Sequence, residues 1–244
     1  MNKPGFAWGP ATRLPQPDSP KTLADEAYQR IHDDIISGQF APNDKLQPDA
    51  LRQRYNIGLS PLREALSRLA AEGLVIAQDQ RGYQVAPVSV RNHREITDLR
   101  TMLEPHALRI SMQQGGEDWE VGVLAAHHRL QQVEKRAASD AQALAEWEAR
   151  HREFHMMLIG GGQMPVLAQF CEKLLAFSDR YRRIFLRERP LDRDIPDEHE
   201  AIVRATLGRD EAHACALLAQ HIGRTAANIE ILLEQWERAG DAAA

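Results

Sequence analysis

The sequence predicts a mainly α-helical chain in two parts: an N-terminal winged helix-turn-helix at residues 21–88, then an all-α antiparallel bundle of six to seven helices at 89–240. Three observations predict it. Residues 22–73 hold three short stretches of helical apolar periodicity, followed directly by two short β-rich runs around a glycine-containing turn. Beyond Ser89 the strand signals stop, and helix-spaced apolar residues recur in segments punctuated by Gly and Pro. Short connections between those segments make consecutive helices antiparallel neighbours.

Residues 1–20 contain five prolines (Pro4, Pro10, Pro15, Pro17, Pro20), the composition of a disordered arm. A helix is expected to begin near Thr22, a capping residue, with Asp25 and Glu26 at the positive end of the dipole. Tyr28, Ile31 and Ile35 give it a buried stripe, and Gly38 supplies the stop. Pro48 opens a short second helix that contains Leu51 and ends near Tyr55. After Asn56-Ile57-Gly58-Leu59, Ser60-Pro61 reads as an N-cap followed by proline at the first helical position. That third helix carries Leu62, Leu66 and Leu69 on one face, Arg63 on another, and ends at Gly73. Residues 74–77 and 83–85 flank 78–82 as a small hairpin, and Pro87 closes the unit. The bundle helices are expected at about 91–114, 118–138, 141–159, 164–187, 196–207 and 210–238, separated by Gly115-Gly116, Gly160-Gly161-Gly162, Pro165, Pro190, Pro196 and Gly208.

Composition narrows the function classes. The chain is 43% hydrophobic and 27% charged, as ordinary soluble proteins are. No apolar run approaches the roughly 20 residues of a membrane span, and no secretory signal opens the sequence. Two cysteines, Cys171 and Cys215, are too few for a disulfide framework and suit a reducing compartment, so a cytoplasmic protein without a membrane partner is expected. The net charge of −5 argues weakly against nucleic acid, but it is unevenly distributed. Residues 1–88 are neutral, with 10 basic and 10 acidic side chains, and residues 52–68 hold Arg52, Arg54, Arg63 and Arg68 against Glu64 alone. A local basic patch on an acidic chain is compatible with a specific DNA reader.

In a helix-turn-helix the third helix enters the major groove and its N-terminal side chains reach base edges. Here that end is Ser60-Pro61-Leu62-Arg63-Glu64. Ser60 and Arg63 are placed to meet phosphate or bases, with Arg63 suited to a bidentate guanine contact. Arg52, Arg54 and Arg68 are expected on phosphates, and Arg81-Gly82 at the wing tip in the minor groove. A solvated basic face is the alternative reading of any one of these arginines.

The second part is rich in histidine. His151 and His155 lie four residues apart and project from one helix face. His199 opens another helix and His221 falls inside the last. Imidazoles converging from three helices suit a divalent transition metal, zinc foremost and nickel or iron also. On spacing alone, ordinary core or surface histidines are the commoner outcome of such a pattern.

The run Leu46…Leu51…Tyr55-Asn56-Ile57…Ser60-Pro61-Leu62-Arg63-Glu64-Ala65-Leu66…Leu69…Glu72-Gly73-Leu74-Val75…Gly82-Tyr83-Gln84-Val85 resembles the winged helix of the GntR superfamily over about residues 22–87. The resemblance implies a homodimer on a near-palindromic double-stranded DNA operator, with Arg63 and Gly82 as DNA contacts. Leu59 departs from the pattern, because the family commonly has arginine there, so that base contact does not carry over. Phe154-His155, Glu198-His199 and His221 are similar to the FCD-type ligand-binding domain of the FadR branch. Many of its members bind a metal through three histidines and an aspartate. His155, His199 and His221 match the histidines, and His151 stands at the aspartate position. The branch implies a small carboxylate effector beside the metal, held by arginines. Arg100 matches one of them, and Arg180 and Arg183, either side of Tyr181-Arg182, are further candidates. Gly58-Leu59-Ser60-Pro61, Asp79-Gln80-Arg81-Gly82, Trp119-Glu120 and Arg180-Tyr181-Arg182-Arg183 look most like the carbon-starvation-induced regulators, which suggests a dicarboxylate.

Two other readings compete. Glu148-Ala149-Arg150-His151 is an E-x-x-H unit of the kind di-iron helical-bundle enzymes use twice, but the chain has only one. The other keeps the DNA module and makes the histidine cluster purely structural. The expectation is a regulator, not an enzyme.

Overall fold

The structure, a computed structural model, describes residues 22–78, 82–134, 141–186 and 195–241. Its described residues fall into two compact units, one of residues up to Ile35 with Asn43–Ala86 and one of Ile36–Pro42 with the helices after Pro87. The arm expected at 1–20 lies outside the described residues, as does Arg81.

The first unit runs α1 (Leu23–Ile36), β1 (Lys45–Leu46), α2 (Pro48–Tyr55), α3 (Leu59–Ala71), β2 (Val75–Gln78) and β3 (Gly82–Val85). Thr22 caps α1 reciprocally: the Asp25 backbone N–H donates to its hydroxyl at 3.1 Å, and its own N–H donates to the Asp25 carboxylate at 3.1 Å. Pro48 stands in the first turn of α2, and Asn56 ends that helix in the left-handed conformation, φ 55°. The start of α3 differs from expectation. Gly58, not Ser60, is the N-cap residue, and its carbonyl accepts the Leu62 N–H at 3.3 Å. Ser60 and Pro61 therefore lie inside the first turn, where a missing proline N–H costs nothing because those donors have no intrahelical acceptor. Ile31, Ile35, Leu62, Leu66 and Leu69 are fully buried and form the core of the unit, whereas Tyr28, expected in the same stripe, is only half-buried because its hydroxyl donates to Glu72 at 2.7 Å.

The expected hairpin is β2–β3, with Val75 opposite Val85 and Gln78 opposite Gly82. Sequence reasoning missed β1, two residues that pair antiparallel to β3 (Leu46 opposite Tyr83) and make the hairpin a three-stranded sheet of order β1-β3-β2. Gly82 opens β3 at φ 91°, a conformation that favours glycine.

The second unit holds, among the described residues, α4 (Val90–Gln114), α5 (Glu117–Glu134), α6 (Ala141–Ile159), α7 (Pro165–Leu186), α8 (Ile195–Leu207) and α9 (Glu211–Asp241). Helix α4 packs on α9, α7 and α6, α5 on α6 and α8, and α8 on α9. Leu108, Val123, Leu130, Phe154, Leu158, Ile202 and Leu218 fill the core between them. The Gly160-Gly161-Gly162 turn is needed for close approach. A side chain on Gly161 would sit 2.8 Å from the Trp119 ring, and the Gly161 and Gly162 N–H groups donate to Ser111 Oγ at 3.1 and 3.2 Å. The turn fixes the end of α6, the helix that carries two of the four histidines. No helix among the described residues is long and apolar enough to cross a membrane.

Candidate functional site

In the first unit, Ser60 and Arg63 lie exposed in the opening turn of α3 and Arg52 exposed on α2. Two of the arginines expected on phosphate are held by acids of α1. Arg54 donates to Asp34 at 2.7 Å, and Arg68 donates to Asp25 at 2.7 Å while lying 4.4 Å over the Tyr28 ring. The Arg68 hydrogen bond, helped by Thr22, lowers the Asp25 carboxyl from 3.8 to about 2. These pairs link residues 20 and 43 apart, so helical spacing gave no sign of them.

In the second unit α6, α8 and α9 bring His151, His155, His199 and His221 together, all buried, each offering a ligand atom within 4.8 Å of the others. The four-residue spacing stacks His151 and His155 with ring centroids 4.5 Å apart, and α8–α9 packing sets His199 4.8 Å from His221. Phe154 seats the cluster from below, 5.1 Å from His199.

Each ring is held from behind by a charged group that sequence reasoning did not single out for this role. His199 Nδ1 donates to Glu134 at 3.0 Å, and His221 Nδ1 donates to Glu198 at 2.7 Å, whose other oxygen takes Arg224 at 3.0 Å. His155 Nδ1 faces Glu104 at 3.5 Å. His151 Nδ1 instead meets Arg182, 3.2 Å away. Burial, reinforced by Arg182 and the other histidines, pulls the His151 ring well below its usual range. Burial also lowers His155, against the pull of Glu104. Both rings are therefore neutral near pH 7, the form in which imidazole ligates metal.

The donor set fits a divalent transition metal. His155 Nε2 and His199 Nε2 are buried with no hydrogen-bond partner among the described residues, and such orphaned nitrogens cost roughly 1–3 kcal/mol unless a donor or a metal ion meets the lone pair. Carboxylates behind metal-facing histidines are the usual means of setting tautomer and raising ligand strength.

The arginines expected on the effector are placed differently. Arg100 is 5% exposed and spent on Glu104, with Nε donating at 2.5 Å, and on Ser178 at 2.7 Å. Arg183 pairs with Glu148, and Arg180 is buried, its guanidinium lowered by desolvation. Arg100 and Arg183 thus have their charges met by glutamates rather than aimed freely at the histidines, as a buried guanidinium requires. Arg182, between them, is the arginine that reaches the cluster. The Glu148–Arg183 pair also takes the E-x-x-H carboxylate for a structural bond, away from the di-iron arrangement.

A winged helix-turn-helix joined in one chain to a helical bundle with a buried histidine cluster defines a class, the one-component DNA-binding transcription regulator. Comparison with known proteins agrees. Residues 23–85 match the family model described as bacterial regulatory proteins, gntR family, and residues 95–224 match the FCD domain model. The chain belongs to the GntR family of transcription regulators, in the branch that carries an FCD domain. It is 39% identical over 201 residues to the HTH-type transcriptional repressor GlaR of Escherichia coli K12, covering 81% of this chain and 91% of that one. It is 34% identical over 203 residues to the HTH-type transcriptional regulator BphR of Paraburkholderia xenovorans, covering 83% of each. The fold is similar to that of E. coli McbR/YncC, with TM-score 0.69 at 19% identity over 88% of this chain and 99% of that one. A putative GntR regulator from Rhodococcus sp. RHA1 gives TM-score 0.68 at 16% identity, over 84% and 96%. The matched families and relatives are transcription regulators rather than enzymes.

Proposed function

We propose that this regulator binds its operator as a cytoplasmic homodimer and that a small carboxylate, bound at a metal held in the histidine cluster, controls its operator affinity. Residues 21–88 are the DNA-binding domain in this reading and residues 89–240 the effector domain. The observation that carries it is the convergence of four buried histidines within 4.8 Å, with two orphaned Nε2 atoms. His155, His199 and His221, each backed by a glutamate, hold the ion, with zinc favoured by nitrogen donors. When bound, the ion supplies a Lewis-acidic centre for an anionic oxygen. Arg63, Ser60, Arg52 and Gly82 contact DNA, with Arg81 at the wing. Arg54 and Arg68 reach phosphate only by exchanging Asp34 and Asp25, so their role is secondary. The E. coli relative is named a repressor, and repression is the sign carried over here.

Ligand and DNA affinity are linked only if the effector binds one arrangement of the dimer better than another. The test is a thermal-shift screen of mono- and dicarboxylates with and without chelator, followed by operator titration with any hit. Stabilisation that needs the metal and a shifted operator affinity are expected. A ligand that stabilises the protein but leaves operator affinity unchanged overturns the coupling.

A further inference from the structure

The four histidines are not equivalent, and the difference lies behind the rings. Glu104, Glu134 and Glu198 face the Nδ1 atoms of His155, His199 and His221. A carboxylate only accepts, so the Nδ1 atoms of His199 and His221 carry the ring proton, and the Glu104 charge 3.5 Å from His155 Nδ1 favours the same tautomer there, leaving each Nε2 its lone pair. His151 has the opposite neighbour. Its Nδ1 lies 3.2 Å from Arg182 Nη1, and a guanidinium only donates. That Nδ1 must hold the lone pair, which puts the ring proton on Nε2.

The surroundings lock this arrangement. Arg182 stands 3.0 Å from the fully buried Asp179, and Asp179 also takes two bonds from Arg152, at 3.0 and 2.8 Å. The Arg182 guanidinium lies 4.9 Å over the Trp147 ring, and Trp147 stacks on His151 at 4.8 Å with 24° between planes. Asp179 sets the arginine, the arginine sets the tautomer, and Trp147 sets the ring plane. A nitrogen that carries a proton cannot ligate a metal, but it is a good donor to an anion beside one.

We infer that His151 is a hydrogen-bond donor to the anionic oxygen of the effector, and that His155, His199 and His221 are the only histidine ligands of the ion. The inference rests on the proposed metal-dependent reading and assigns His151 a specificity role within it. Three neutral imidazoles leave the ion its full double charge, where a carboxylate in place of His151 would cancel half of it. The site then calls for an anion that can both meet the ion and accept from Nε2–H, which a carboxylate with two oxygens does. A neutral alcohol or amide of the same shape lacks the charge. The donor set is thus built to require a carboxylate.

The test uses the full chain with zinc alone, then with zinc and succinate or acetate as probes. Zinc affinity is measured by competition with a chromophoric chelator for the parent, His151→Phe, His155→Ala and His199→Ala. His151→Phe is expected to keep one zinc per chain within about 10-fold of the parent affinity, and to bind the carboxylate at least about 10-fold more weakly, the loss of one charge-assisted bond. His155→Ala and His199→Ala are expected to lose zinc by a much larger factor. Long-range nitrogen–proton NMR of the zinc-loaded parent, which needs no variant, should find the His151 proton on Nε2. Loss of zinc in His151→Phe equal to that in His155→Ala overturns the inference and leaves the metal reading standing, as does a His151 proton found on Nδ1. Unchanged carboxylate affinity in His151→Phe also overturns it. A parent that takes up no zinc overturns the metal reading itself and the inference with it.

Discussion

Replacing Glu104 with glutamine tests the charge that holds the site together. The Glu104 side chain is 2% exposed and meets Arg100, itself 6% exposed, as well as His155. Burial alone favours the protonated acid. The charge of Arg100 and the hydrogen bonds from His155 and Arg100 outweigh it and take the carboxyl from 4.5 to about 2. That difference corresponds to a preference for the charged form of about 3 kcal/mol. Glutamine keeps the shape but leaves Arg100 buried without its counter-charge, an error that typically costs about 3–5 kcal/mol. At roughly 2–4 °C per kcal/mol for a unit of this size, the chelated variant should melt about 6–20 °C below the parent at pH 7. The pH dependence gives the signature. The folded value of Glu104 lies below its unfolded one, so its contribution is complete above pH 4.5 and is lost as the pH falls toward about 2. The gap between variant and parent, followed by urea or thermal unfolding of metal-free protein, should not narrow from pH 7.5 to 5, since Glu104 also raises the His155 ring, and should close only below that. A gap under about 2 °C at pH 7 would refute the reasoning, since less than 1 kcal/mol would then hang on the charge. So would a gap that closes between pH 7 and 6, which would place the effect in the histidines.

Three further expectations follow from named contacts. Arg63→Ala should lower affinity for an operator selected from random-sequence DNA by roughly 1–3 kcal/mol, with little change on unrelated duplex; equal losses on both would make Arg63 a phosphate contact. Arg68→Ala should let the Asp25 carboxyl rise from about 2 toward 3.8 in an NMR titration, with little stability lost because solvent screens the pair. If Asp25 does not move, the α1–α3 bond is not made in solution. Burial is the first cause lowering His93, His127, His151 and His155 from 6.5, so the unfolded chain binds protons there before the folded one does. Metal-free protein should hold its stability above about pH 6.5 and lose it steadily down to pH 5, and a flat profile in that window would contradict the buried neutral rings.

Much of the fold was legible because it rests on interactions within about four residues. Thr22 as a cap, the stripe Ile31–Ile35, the end of α2 at Tyr55, and Leu62, Leu66 and Leu69 all act at that range, and the structure keeps each. The start of α3 moved by two residues because a glycine caps nearly as well as the serine two positions on. Strand β1 was not legible: two residues have no period, and they become a strand only when β3 lies beside them. The site divides in the same way. Four-residue spacing put His151 and His155 on one helix face, His199 and His221 were candidates from neighbouring helices, and the resemblance to the FCD pattern matched them to ligand positions. What stands behind each ring was decided by packing between helices 23 to 65 residues apart in the chain. Charge type alone places an arginine or a glutamate on a helix, but only the tertiary arrangement decides which buried charge it must answer. That is why Arg100 and Arg183, expected on an effector, are spent on Glu104 and Glu148, and Arg182 is the one that reaches the histidines.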